Sequence, residues 1–193
     1  MLFSRLALPI NFPAIRDEIL TLLNAPWTDH VNAQNYVGKW DVLPLRSLQQ
    51  HQHSHPILQA FSIEAAGRWG NLNILQRCPV LQHWLESFRC PLKSVRLMRL
   101  APGGHIKPHR DGGLDWKSGE ARLHVPIITC DNVKFLVNGE RVPMTAGELW
   151  YINAGELHEV RNDGGQDRIH LVLDCEVNDW LFEHISDDSV VPA

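Results

Sequence analysis

From residue 94 to residue 176 the chain is a succession of short apolar runs, each closed by glycine, proline, asparagine or aspartate, with no stretch of helical period between them. The runs at 95–100, 122–129, 133–137, 148–152 and 168–175 have the length and apolar enrichment of strands. Many short strands with this punctuation and no helices between them predict a sandwich or a jelly-roll barrel. One turn can be typed directly. Asn138-Gly139, between Phe135-Leu136-Val137 and Glu140-Arg141-Val142, offers the two residues that best accept the positive φ angles of a type I′ hairpin.

The first half reads differently. In 12–24, Pro13 suits a first helical turn, and Ile15, Ile19, Leu22 and Leu23 recur at helical spacing. Val80, Leu81, Trp84, Leu85 and Phe88 form a second apolar stripe and predict a helix at 79–88. Between them, 25–77 has no regular period and holds Trp27, Trp40 and Trp69. Within it His51, His53 and His55 alternate, so a strand would put all three on one face and suggest a metal site. That tract has no β-branched or aromatic residue and runs into Pro56, which predicts a mobile loop instead. The expected plan is mostly β with flanking helices: one domain, 1–193, with a helical and irregular part at 1–93 packed on the barrel, a jelly-roll core at 94–176, and a helix and tail at 177–193.

A chain of 193 residues with 44% hydrophobic content has the material for a core, so global disorder is excluded. Its 18 Lys and Arg against 22 Asp and Glu give a formal charge of −4, with none of the basic excess a nucleic-acid partner requires. No apolar stretch approaches the roughly 20 residues of a membrane span. The opening residues 1–10 are broken by Arg5 and Pro9 and lack the layout of a secretory signal, so the expected location is the cytoplasm. Cys78, Cys90, Cys130 and Cys175 contain no C-x-x-C pair and are expected to be reduced thiols.

The chemistry concentrates in two places. His109 and Asp111 are two apart in a glycine- and proline-flanked segment, and in extended chain residues i and i+2 project to the same side. His158 follows a strand and a glycine turn, from which its imidazole can swing back to complete the set. Two histidines and one carboxylate on one face of an ion describe the non-heme Fe(II) oxygenase site, with positions left open for other ligands. By itself His-x-Asp also fits a loop histidine beside a solvated acid. Arg168, ten residues after His158 at the head of an apolar strand, strengthens the iron reading. A cation there needs an anion, and its planar fork suits a carboxylate such as the distal one of 2-oxoglutarate. Arg122 and His124 alternate on another strand and share one face.

The segments PGGHIKPHRD, ARLHVPI, AGELWYINAGELHEVRN and RIHLVLD, in this order over 95–176, resemble the aspartyl/asparaginyl β-hydroxylase family of Fe(II)/2-oxoglutarate-dependent dioxygenases. The resemblance implies a double-stranded β-helix, with His109, Asp111 and His158 holding iron. It also implies that Arg168 meets the C5 carboxylate of 2-oxoglutarate and that Arg122 and His124 line the cosubstrate pocket. The implied reaction consumes O2 and 2-oxoglutarate and hydroxylates an amino acid, a derivative or a peptidyl residue. Two departures from the animal enzymes are informative. They carry glycine where Asp111 stands, so this chain is more similar to bacterial members with a complete three-residue metal set; they also use serine where Met98 stands.

On the substrate side His170, two beyond Arg168, is expected on the same strand face, and Trp40, Arg46 and Trp116 are candidates for the wall or for an anion partner. His105 reads equally as a support for the metal ligands and as a catalytic residue, and Glu156 and Glu159 as solvated acids beside His158. Two other functions fit the same residues. A metal-binding barrel could serve as a sensor without turnover, and a cupin metalloenzyme could work without 2-oxoglutarate, in which case Arg168 should point away from the metal.

Overall fold

Two antiparallel sheets make up the body of the computed structural model, which describes residues 1–61 and 67–185. In chain order the elements are β1 (Phe3–Leu6), α1 (Phe12–Leu20), β2 (Thr28–Asp29), β3 (Tyr36–Val37), β4 (Trp40–Leu48), α2 (Pro56–Ala60), β5 (Trp69–Asn71), α3 (Pro79–Glu86), β6 (Leu92–Leu100), β7 (His105–His109), β8 (Glu120–Ile128), β9 (Val133–Val137), β10 (Glu140–Arg141), β11 (Leu149–Ile152), β12 (His158–Asn162), β13 (Arg168–Glu176) and α4 (Asp179–Ile185). The larger sheet runs β1-β11-β8-β13-β6-β4-β2, with β5 also on β4, and the smaller runs β10-β9-β12-β7-β3. From β6 onward the chain passes back and forth between the sheets, with only the β9–β10 hairpin staying within the smaller one, which is the winding of a double-stranded β-helix.

Strand alternation splits the larger sheet between two cores. Leu43 and Leu45 of β4, Val95 and Leu97 of β6, Leu123 and Val125 of β8, and Leu171 and Leu173 of β13 face outward, where they pack with Ile15 and Ile19 of α1, Leu81 and Leu85 of α3, and Leu181 of α4. Trp40, Val42, Met98, Leu100, Trp150, Ile152 and Val172 face inward and meet Ile106, Phe135, Val137 and Val160 of the smaller sheet. The helices thus cover one face of the larger sheet and leave the other for the barrel interior.

The hairpin expected at Asn138-Gly139 is present, with Val137 opposite Glu140 and φ angles of 50° and 82° at the two turn residues. Both predicted helices form, although α1 yields to a turn after Leu20 and α3 ends at Glu86. The start of α3 is capped from a distance: the Glu18 carboxylate of α1 accepts the Val80 and Leu81 N–H groups at 2.8 and 2.9 Å. The tail beyond 185 lies outside the described residues.

The main difference lies in 1–93. There β1 and β4 are members of the larger sheet, and β4 runs beside β6 from Trp40↔Leu100 to Arg46↔Val95. Trp40-Asp41-Val42-Leu43-Pro44-Leu45 is buried throughout, so it lacks the polar alternation by which a strand is recognised. The histidine tract folds into a 3-10 turn at Gln49–His51, and His55 Nδ1 caps α2 by accepting the Ile57 N–H at 3.3 Å. The four cysteines are free, with Cys78, Cys90 and Cys175 buried and Cys130 exposed. No helix among the described residues is long and apolar enough to cross a membrane.

Candidate metal and anion site

The smaller sheet brings the first two histidines together. His109 ends β7 and His158 opens β12, and the two are register partners across the strand pair. Their ring centroids are 4.2 Å apart. Asp111 follows just past β7, where its N–H donates to the Ala154 carbonyl at 2.8 Å and ties the loop to the turn before His158. One ligand atom from each of His109, Asp111 and His158 lies within 4.8 Å of the others, a spread that a single ion can span.

Backbone carbonyls fix which nitrogen each imidazole offers. His109 Nδ1 lies 2.8 Å from the Lys107 carbonyl and His158 Nδ1 lies 3.0 Å from the Glu156 carbonyl. A carbonyl only accepts, so each Nδ1 carries the proton and each Nε2 presents a lone pair. Burial first, and then the neighbouring His109, push the His158 pKa down to about 4 even against the hydrogen bond to Glu156, so the ring is a neutral ligand at physiological pH. Asp111 divides its oxygens: Oδ1 faces His109 Nε2 at 3.8 Å, while Oδ2 accepts a short hydrogen bond from Arg122 Nη1. Burial alone would raise the Asp111 pKa, but Arg122, His158 and His109 together outweigh it and hold the carboxyl ionised.

The larger sheet supplies the cations. Arg122 Nε donates to Asp174 Oδ1 at 2.8 Å, and Arg96 Nη1 donates to Asp174 Oδ2 at 2.8 Å, so one carboxylate joins two guanidiniums. Arg168, at the head of β13, is buried to 2% exposure and has no carboxylate partner among the described residues. Its Nε makes no hydrogen bond among the described residues, and burial pushes its pKa down to about 9. His109, Asp111, His158, Arg122, His124 and Arg168 all line one cavity of about 570 Å³. A buried, uncompensated cation on the wall of a cavity that also holds two neutral imidazoles and a carboxylate is suited to an anionic ligand lying beside a metal ion. The donor set, two nitrogens and one oxygen, fits ferrous iron.

A family model for aspartyl/asparaginyl beta-hydroxylase matches residues 10–177. The chain belongs to that family. The match extends well upstream of the motifs quoted above, in keeping with the place of β4 in the larger sheet. Among solved structures, an oxidoreductase of the 2OG-Fe(II) oxygenase family from Burkholderia pseudomallei is similar at 14% identity, over 83% of this chain and 77% of that one, with a TM-score of 0.56. The non-heme alpha ketoglutarate dependent epimerase SnoN from nogalamycin biosynthesis is similar at 11% identity, over 90% and 78%, with a TM-score of 0.51. At these identities the likeness is one of fold.

In this member of the aspartyl/asparaginyl beta-hydroxylase family the other candidates divide. Trp40 lines the cavity, with its ring stacked on His30 at 3.5 Å, and its indole N–H has no acceptor among the described residues. Met98 lines it too. His170 stands behind Arg168, on a separate cavity. Arg46 is not on the cavity. A register shift between Pro44 and Arg46 breaks the inward alternation of β4, and the guanidinium is used by the Leu92 and Trp69 carbonyls and Asn71 Oδ1 at 3.2, 3.2 and 2.7 Å. Trp116 is likewise elsewhere, because it lies on a 3-10 turn outside the barrel and packs on Phe182 at 5.3 Å. His105 pairs with Glu159 at 2.9 Å, and Glu156 with Arg110 at 2.8 Å, so neither acid is merely solvated.

Several residues were not singled out from sequence. Asp174 and Arg96 could have been, since alternation from Arg168 through His170 and Val172 carries Asp174 inward, and alternation from Met98 carries Arg96 inward. His30 and Phe61, which form a T-shaped pair at 4.6 Å on the cavity wall, carry no such signal.

Proposed function

We propose that this chain is an Fe(II)- and 2-oxoglutarate-dependent dioxygenase that hydroxylates an amino acid, an amino-acid derivative or a peptidyl residue. The observation that carries the reading is the convergence of His109, Asp111 and His158 on a cavity whose wall holds the uncompensated cation Arg168. A cupin metalloenzyme that dispenses with 2-oxoglutarate predicts an Arg168 turned away from the metal, whereas Arg168 lines the same cavity as the three ligands.

His109 Nε2, Asp111 Oδ1 and His158 Nε2 would hold the iron. Bound there, ferrous iron would supply the activation of O2, coupled to conversion of 2-oxoglutarate to succinate and carbon dioxide, that hydroxylation of an unreactive C–H bond requires. Arg168 binds the distal carboxylate of the cosubstrate, and its burial strengthens that contact by excluding water. Arg122 keeps the second oxygen of Asp111 engaged, so the carboxylate offers a single oxygen in a fixed direction. His124 is held neutral by burial and then by Arg168 and Arg122, and stands on the cosubstrate wall as a hydrogen-bonding group. The substrate occupies the remaining space, against Trp40, Phe61, Ile57 and the His30 ring. Burial above all pushes the His30 pKa down to about 3, so this wall is uncharged and suits an apolar or flat part of the substrate.

The test is a turnover screen across free, acylated and peptidyl amino acids, with succinate and product mass as readouts. The expected result is succinate formation that requires iron, 2-oxoglutarate and one substrate class, with a product gain of about 16 Da from one inserted oxygen. Iron and 2-oxoglutarate binding with no substrate-dependent succinate would identify a binding module instead.

A further inference from the structure

Arg168 and His170 are separated by one residue on β13, and their side chains meet within the fold. Arg168 Nη2 lies 2.8 Å from His170 Nδ1. A guanidinium can only donate, so Nδ1 accepts, the imidazole is neutral, and its proton sits on Nε2. Nε2 has no partner among the described residues, and the ring is 1% exposed. Burial, followed by Arg168 and His124, holds the His170 pKa well below that of an ordinary histidine. On its other side the Arg168 guanidinium carbon lies 5.8 Å from the centre of the Phe135 ring. His170 does not line the cavity that holds the metal-ligating residues; it lines a second one, of about 290 Å³, behind Phe135.

We propose that His170 is a positioning residue: its unprotonated Nδ1 fixes one edge of the Arg168 guanidinium, and the charge remains free to meet a dicarboxylate cosubstrate in the main cavity. The inference rests on the functional reading above. The choice of a neutral acceptor is what matters. A carboxylate at 170 would pair with Arg168 bidentately and neutralise the charge the cosubstrate needs. An apolar residue would leave Nη2 buried without an acceptor and the fork free to turn. An imidazole does neither.

The experiment uses full-length protein loaded with Mn(II) in place of iron, so that no turnover occurs, and titrates 2-oxoglutarate by calorimetry into the wild type, His170→Leu, His170→Asn and His170→Asp. Asn can place its amide oxygen near the position of Nδ1. Loss of one charge-assisted hydrogen bond predicts roughly tenfold weaker binding in His170→Leu, at least as large a loss in His170→Asp, and rescue to within about threefold of the wild type in His170→Asn. Pyruvate, which has the same 2-oxo acid head without the distal carboxylate, is expected to bind all four proteins alike. A folded His170→Leu that binds 2-oxoglutarate like the wild type, an Asn variant no better than Leu, or a parallel loss of pyruvate binding would each overturn the role. A wild type that binds Mn(II) and pyruvate but gains nothing from the distal carboxylate would overturn the functional reading, and this inference with it.

Discussion

His109 and His158 reach the site with Nε2 already selected by a carbonyl two residues earlier, and Asp111 with one oxygen already taken by Arg122. Replacing Asp111 with alanine removes one of the three proposed ligands and also leaves Arg122 with Asp174 alone; metal affinity is expected to fall by at least about 100-fold, measured by competition with a chromogenic chelator. Arg168 gives a prediction of opposite sign for stability. Because it is buried without a carboxylate, Arg168→Met should hold or raise the Tm while weakening 2-oxoglutarate binding by roughly 10- to 100-fold, read by calorimetry on Mn(II)-loaded protein. A drop of many degrees in Tm would show that the charge is compensated in the free protein. The pairing of His109 with Asp111 and an apolar strand headed by Arg168 were legible in sequence because both are local patterns. Arg46 and Trp116 were not, because only the register shift in β4 and the 3-10 turn decide where they point.

At the scale of elements, two contacts can be isolated. Gly139 sits at φ 82° with nothing within 4 Å of where a Cβ would stand, so Gly139→Ala tests backbone strain alone and is expected to cost about 1–2 kcal/mol in urea unfolding. Glu18 caps α3 from 62 residues away, and Glu18→Ala leaves the Val80 and Leu81 N–H groups without their acceptor, at a cost of about 1–2 kcal/mol. The hairpin could be typed from two residues because its geometry is set within the turn. The cap could not, because nothing in 79–88 shows that a carboxylate from α1 will arrive. Strand β4 was missed for a related reason: it is buried on both faces, so it carries no alternation. Strands β7 and β12 were missed because they are short and rich in polar residues.

The whole molecule responds to charge and to pH through its interior. Asp174 serves both Arg96 and Arg122, and Asp174→Asn leaves those cations short of a counter-charge; the expected loss is about 3–5 kcal/mol, or roughly 10 °C in Tm by calorimetry. Burial is the first cause of a lowered pKa in His30, at about 3, and His158, at about 4, and it keeps His124 and His170 well below the ordinary value. The sign follows from proton uptake. Below about pH 6.5 the unfolded chain binds protons at these positions and the folded one does not, so stability is full above that pH and falls as pH drops toward the folded values. Each such group costs about 1.4 kcal/mol per pH unit in that window. The metal-free protein should therefore melt well below its pH 7.5 value at pH 5.5, before the depressed carboxyls of Asp111 and Asp174 begin to protonate. A flat Tm between those two pH values would mean that the four rings are solvated.

The sequence by itself determined the β character, the hairpin, the two main helices and the pairing of His109 with Asp111, because each depends on spacing within a few positions. Only the tertiary structure decided that Trp40 belongs to the cavity and Arg46 does not, that Asp174 joins Arg96 to Arg122, and that His170 stands behind Arg168. Those outcomes depend on strand order and register, which bring together side chains dozens of residues apart, and short-range spacing carries no record of either.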